Sequence, residues 1–386
     1  MKTKKLLVFT LLFLSGCGGT STLSESSKAS NYILDPDSGD PSNSYSNHVP
    51  FYLPSGEEEF IPTADPFCFK ADDGAYYLYC SQTYCTMGEH GYSLDYGPIF
   101  KSTTLTSWTW VGSVFYGQET YAKWNNGEGG CWAPTVLRVG DHYNFYYVLG
   151  GGGFYSDYTG IGVATSSTPY GPWQHYGKLF DSGEIGVKNS IDPYVFNEDG
   201  QLYMSFGSGD GIWMVELNGD GTALKGSLAE QKQGKRQIAA FNIFQEDNYE
   251  ASFIEKKNDY YYLYLSTGGC CAGLSSTYHV VVGRSSSKYG PYLDSKGRAI
   301  DTYNRGDTIV ESNVKKGNGT GHCAIVQDER GLDWLIYHGY DPNETTRQRQ
   351  NERVLYIDRL YWQSNGYPTL KDKYATHENV PGPYLS

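Results

Sequence analysis

Residues 248–266 read NYEASFIEKKNDYYYLYLS. A short apolar run at 251–254 leads into a polar turn, Lys256-Lys257-Asn258-Asp259, and then into an aromatic run at 260–265. Aromatic and apolar residues separated by Asn and Asp favour two strands and a tight turn. The stretch opens on Glu250, an odd start for a strand that belongs in a core.

The unit recurs. ADPFCFKADDGAYYLYCS (64–81) carries Asp65 at the head, and WAPTVLRVGDHYNFYYV (132–148) carries Ala133. IDPYVFNEDGQLYMSFGS (191–208) carries Asp192, and HCAIVQDERGLDWLIYHG (322–339) carries His322. Aromatics at Tyr76, Tyr143, Tyr203, Tyr261 and Trp334 follow the heads by 10 to 12 residues, and the heads are spaced by 68, 59, 58 and 72 residues. Units of about 60 residues, each with two strands and a trailing hairpin, predict an all-β five-bladed β-propeller. The trailing elements echo one another as well: SSTPYGPW (166–173), SSSKYGPY (285–292) and, more loosely, KSTTLTSWTW (101–110). A pair of β-sandwiches leaves five matching heads unexplained.

In a propeller the first strand of each blade lines the axis, so the heads converge at one mouth of the channel. Asp65, Asp192, Glu250 and His322 then share a small space with Ala133. A lone strand-initial acid is ordinarily solvated. Three at equivalent places cost stability through like-charge repulsion unless something uses them. Glycoside hydrolysis uses a pair of carboxyl groups, one donating a proton and one activating water or attacking the sugar. A third carboxylate raises the donor's pKa.

The chain has 386 residues, with 36 tyrosines, 47 glycines and a formal charge of −13. It opens MKTKKLLVFTLLFLSGC, three lysines before an apolar run too short to span a bilayer. Leu14-Ser15-Gly16-Cys17 resembles a bacterial lipobox, so residues 1–16 are expected to be a lipoprotein signal peptide, with Cys17 lipidated. A plain secretory signal cut nearby is the other reading. Either way the mature chain leaves the cytoplasm and is expected to be extracytoplasmic, at the cell surface or in the periplasm. Residues 17–50, rich in Ser, Asn, Asp and Gly, read as a flexible tether, and 51–386 as the propeller domain, expected to be a monomer. Loss of residues 1–16 removes three lysines and no acids, deepening −13 to −16. Nucleic acid is excluded as a partner on charge, and membrane contact is confined to the anchor.

The residues resemble glycoside hydrolase family 43, whose five-bladed propellers carry an Asp in blade one, an Asp in blade three and a Glu in blade four. Asp65-Pro66, Asp192-Pro193 and Glu250-Ala251-Ser252 match those places. The resemblance implies Asp65 as general base, Glu250 as general acid and Asp192 as the residue that tunes and orients Glu250. It implies inversion, with base and acid about 6.5–9.5 Å apart to admit a water. GGCCAGLSSTYHVVVGRSSSKYGPYLD (268–294), NSIDPYVF (189–196), GTGHCAIVQ (319–327) and ERVLYIDRLYW (352–362) resemble segments of the endo-acting α-1,5-L-arabinanases in this family. Arabinan, or a related arabinose- or xylose-containing polysaccharide, is the implied substrate. An exo-acting α-L-arabinofuranosidase or β-xylosidase is the alternative within the class. A non-catalytic glycan-binding lipoprotein is the alternative outside it.

Among binding residues, the resemblance places Asn189 on the sugar. Trp132, beside the second head, and Phe154, in the glycine-rich loop 150–157, are aromatics suited to a sugar face, though Trp132 also suits a plain core. Arg353 is expected to reach the axial acids or else to lie on the surface. His322 reads either as a core histidine or, by resemblance, as the one protein ligand of an axial calcium otherwise held by water. Seven cysteines remain beside Cys17. Cys270 and Cys271 form a vicinal disulfide or stay reduced, and Cys68 and Cys323 are candidates to pair across neighbouring blades. No Cys-x-x-Cys zinc spacing, Gly-x-Ser-x-Gly elbow or phosphate-binding loop is present.

Overall fold

The computed structural model describes residues 33–86, 92–116, 129–150, 159–240, 248–300 and 306–385. Its inner strands are Phe67–Lys70, Gly130–Val139, Tyr194–Glu198, Glu250–Lys257 and Asn318–Gln327. Each packs on the next in that order, and the last packs back on the first. Three of them open four-stranded antiparallel meanders. A fourth meander, Phe67–Lys70, Tyr76–Tyr79, Tyr92–Ser102 and Trp108–Phe115, lies within a seven-stranded sheet. The last sheet has three strands, Asn318–Gln327, Asp333–Tyr340 and Arg353–Arg359. The architecture is therefore all-β with its sheets arranged as in a propeller, and four of the five expected blades are four-stranded.

Tyrosine suits this packing because its ring fills the wedge between sheets while its hydroxyl still finds a partner. Tyr146 is fully buried and donates to the Gly221 carbonyl at 2.9 Å. Tyr337 donates to Asp358 at 2.7 Å. The trailing elements echo in structure as they do in sequence. Ser102, Ser166 and Ser285 each cap the following turn, accepting the N–H of Thr104, Thr168 and Ser287 at 3.0, 3.2 and 3.1 Å.

The N-terminal segment departs from expectation. Residues 33–50 were expected within a flexible tether spanning 17–50, yet they are packed on the domain. Asp40–Tyr45 pairs antiparallel with Val380–Gly382. Asn47 binds the free edge of the three-stranded sheet, its Nδ2 donating to the Ile357 carbonyl at 2.9 Å and its Oδ1 accepting the Ile357 N–H at 3.0 Å. Val49 N–H reaches Leu355 O at 3.2 Å, and Thr63 N–H reaches Arg353 O at 2.7 Å. The physical reason is that an unpaired strand edge exposes a row of backbone donors and acceptors. This segment satisfies them, so the folded domain reaches back to residue 33. Residues 1–32, with Cys17, lie outside the described residues.

Candidate active site

Five residues at the heads of the inner strands share a left-handed backbone conformation: Asp65 (φ 55°), Ala133 (43°), Asp192 (55°), Ala251 (53°) and His322 (51°). Such a φ is uncommon for a residue with a Cβ. At Ala133, Ala251 and His322 the strand pairing also slips, which marks a bulge. Bulges re-aim side chains and gather beside active sites. The fourth head is thus Ala251, and Glu250 precedes it by one residue. The repeat aligned on Glu250 in the sequence is corrected by one position.

The heads are tied to one another across the ring. Ala133 N–H donates to Ser81 Oγ at 2.8 Å, Ala251 N–H to Asp192 Oδ2 at 3.0 Å, His322 N–H to Ser266 Oγ at 2.8 Å and Asp65 N–H to His338 Nδ1 at 2.9 Å. Ser81, Ser208, Ser266 and His338 each lie sixteen residues after Asp65, Asp192, Glu250 and His322, at the ends of second strands. Each reaches the head region of the next sheet. Sequence reasoning missed these partners, although their constant spacing was the signal that could have found them.

Asp65, Asp192, Glu250, His322 and Arg353 line one cavity of about 340 Å³. Asp65 Oδ1 accepts from Arg353 Nη1 at 3.0 Å and lies 3.3 Å from His322 Nδ1, and Asp65 Oδ2 accepts from the Ser81 hydroxyl at 2.5 Å. Burial resists its ionisation, but the Arg353 guanidinium, helped by the Ser81 hydroxyl, outweighs burial and holds it well below the usual carboxylate range. Asp192 goes the other way. Burial, then the charges of Glu250 and Asp65, push it well above its ordinary value. Burial also raises Glu250, against hydroxyls donated by Ser208 (2.7 Å to Oε2) and Tyr278. Burial keeps His322 and His338 below the ordinary imidazole value. His338 is then neutral, consistent with its Nδ1 accepting the Asp65 N–H.

The cavity therefore sets Asp65, a carboxyl held low, beside two carboxyls, Asp192 and Glu250, that burial pushes up. An acid–base hydrolase needs carboxyls tuned in such opposite directions.

Trp132 lines the same cavity. Its indole lies where a Cβ on Gly150 would stand 2.0 Å from the ring, and a Cβ on Gly130 2.3 Å from Nε1, so both glycines make room for it. Gly321 does the same for Tyr278, whose ring a Cβ there would meet at 2.2 Å. Asn189 is buried and is not among the residues lining the cavity. Its carbonyl accepts the N–H of Ile191 at 2.9 Å and of Ser208 at 3.2 Å, so its backbone seats the serine that binds Glu250. Phe154 lies outside the described residues. Cys270 and Cys271 are bonded to each other and line the cavity. Cys68 and Cys323, candidates to pair across blades, are free and buried, each shielded on its own inner strand. Among the described residues no group of three or more His, Cys, Asp or Glu is arranged to hold a metal. Calcium takes six to eight oxygens, so one imidazole does not make a protein-coordinated calcium site.

Residues 61–368 match the family described as glycosyl hydrolases family 43. The chain belongs to glycosyl hydrolase family 43. It is a glycoside hydrolase, with Asp65, Asp192 and Glu250 gathered at one mouth. It is 31% identical over 305 residues to an extracellular exo-α-(1→5)-L-arabinofuranosidase of Cellvibrio japonicus, covering 74% of this chain and 84% of that one. It is 31% identical over 280 residues to an extracellular endo-α-(1→5)-L-arabinanase of Bacillus subtilis, covering 70% and 79%. Among family 43 structures, an α-L-arabinanase of Cellvibrio cellulosa complexed with arabinohexaose superposes with a TM-score of 0.67 at 27% identity, over 82% of this chain and 97% of that one.

Proposed function

We propose that this enzyme hydrolyses α-1,5-L-arabinofuranosidic bonds within arabinan, with inversion. The observation that carries the reading is the gathering of Asp65, Asp192 and Glu250 on one cavity, with Arg353 3.0 Å from Asp65 and the Ser208 hydroxyl 2.7 Å from Glu250, so that Asp65 is held low while burial pushes the other two up. Asp65, held ionised by Arg353, takes a proton from a water that attacks the anomeric carbon. Glu250 gives its proton to the departing glycosidic oxygen. Asp192, through the Ala251 N–H, holds the backbone beside Glu250 and keeps the Glu250 proton in place. A non-catalytic sugar-binding role leaves this opposed tuning without a use.

The exo-acting reading is the second one, favoured by the likeness to the Cellvibrio japonicus arabinofuranosidase. Debranched arabinan separates the two. Oligosaccharides as first products support endo action; arabinose alone from the start supports exo action.

The rest of the reading follows. The three-stranded sheet is taken as the fifth blade, its edge completed by residues 47–49 and 63. Trp132 and Phe154 are taken as sugar contacts, whereas Asn189, buried and off the cavity, acts through the backbone carbonyl that seats Ser208. The named extracellular relatives support export, and Cys17 is the proposed lipid anchor of a monomer. A calcium at His322 would rest mainly on water ligands; metal analysis of protein prepared with and without calcium tests it.

A further inference from the structure

Cys270 and Cys271 are the one disulfide among the described cysteines, and the bond joins adjacent residues. A disulfide stabilises chiefly by closing a loop in the unfolded chain, and the gain grows with loop length. A separation of one residue closes the smallest loop available, so stability is a poor reason for this bond. The loop is defined without it. Thr277 N–H and Tyr278 N–H both reach Gly269 O at 2.9 and 3.1 Å. Gly269 N–H binds Thr277 Oγ1 at 2.9 Å, and Ala272 N–H binds Ser276 Oγ at 2.9 Å.

The bond instead has a distinctive place. Cys270 is half-buried, Cys271 is exposed, and both line the cavity that holds Asp65 and Glu250. The loop follows Tyr260–Thr267, the strand that pairs with the Glu250 strand. Trp132 faces the same cavity from a sheet that is not its neighbour in the ring. Bonded sulfurs donate no hydrogen bond, accept only weakly and lack a thiol's freedom to rotate. They form a rigid apolar patch beside carboxylates. A furanose ring has a C–H face that suits such a patch, and hydroxyl edges that do not.

We propose that the Cys270–Cys271 disulfide is a specificity-determining contact, a rigid apolar platform for the C–H face of one sugar unit of the bound chain, with Trp132 as a second such surface. The inference rests on the arabinan reading. The reduced pair would present two rotating thiols, each able to donate, and a less defined surface. The platform therefore acts on binding of the glycan rather than on proton transfer.

The test uses the full mature chain, the variants Cys270→Ser/Cys271→Ser and Cys270→Ala/Cys271→Ala, and a linear α-1,5-linked arabino-oligosaccharide of six units. The platform predicts that the serine pair raises KM about tenfold with kcat within twofold. The alanine pair, still apolar, raises it less, and both variants melt within a few degrees of wild type. An unchanged KM in the serine pair overturns the proposal. So does an equal loss in both variants accompanied by a large drop in melting temperature, which marks a staple. Should the serine pair fail to fold, the alanine pair is compared with wild type reduced by a phosphine, where unchanged KM in both overturns it equally. Failure of the arabinan reading is distinct, because the wild type itself would then leave the oligosaccharide uncut.

Discussion

Asp192 Oδ2 accepts the backbone N–H of Ala251 at 3.0 Å, so the third acid of the site grips the residue directly after Glu250. Its charge and its geometry therefore act on the same neighbour. Neutralising it separates the two effects, because an asparagine keeps an oxygen for Ala251 while losing the charge. With the like charge gone, Glu250 gives up its proton at lower pH. Asp192→Asn is expected to move the basic limb of the kcat profile downward and to slow turnover by about 10²-fold or more. The pH–rate profile on arabinan checks it, and an unmoved basic limb would remove the tuning role.

Ser208 and Tyr278 donate to the Glu250 carboxylate and so favour its charged form. Ser208→Ala and Tyr278→Phe each remove one donor. Glu250 should then hold its proton to higher pH, moving the basic limb upward by about one unit, the opposite direction to Asp192→Asn. Measuring all three profiles in one buffer series tests the sign directly.

Arg353 sits 3.0 Å from Asp65 and is the chief group holding that carboxyl below its ordinary range. Arg353→Met leaves a buried carboxylate without its cation. The acidic limb of kcat/KM, where Asp65 takes up its proton, should rise. A depressed folded-state pKa contributes stability above the unfolded value that is lost as pH falls. The variant should therefore lose more stability at neutral pH than at pH 3, by about 3–5 kcal/mol at neutral pH. Denaturant unfolding at the two pH values checks it.

Asn47 satisfies both backbone groups of Ile357 on the edge of the three-stranded sheet. Asn47→Ala leaves those groups buried and unmade, at a cost of about 1–3 kcal/mol each. The melting temperature should fall while kcat at 25 °C stays near wild type. An unchanged melting temperature would argue against the N-terminal segment as the closure of the ring.

Much of this site could be read from the chain because charged heads interrupt an otherwise regular strand pattern. Asp65, Asp192 and His322 stood out for that reason. Glu250 was placed one residue off its structural equivalent because the true fourth head, Ala251, carries no chemical mark; only its backbone conformation reveals it. Ser81, Ser208, Ser266 and His338 were overlooked because a serine or a single histidine near a strand end is ordinary, and their partners lie in neighbouring blades. The N-terminal segment misled for a related reason. Its Ser, Asn and Asp read as solvated, while its partner at Ile357 lies 310 residues away. Periodicity reports what a segment buries locally and is silent on pairings made by ring closure.

The central claim is that Glu250 delivers the proton to the leaving oxygen while Asp65 activates water. The most direct measurement is the initial rate of Glu250→Gln on unactivated linear arabinan, where the leaving group cannot depart without that proton. The account predicts a loss of about 10²–10⁴-fold or more with the fold intact by circular dichroism. A folded variant that cuts the polysaccharide at near wild-type rate would contradict it.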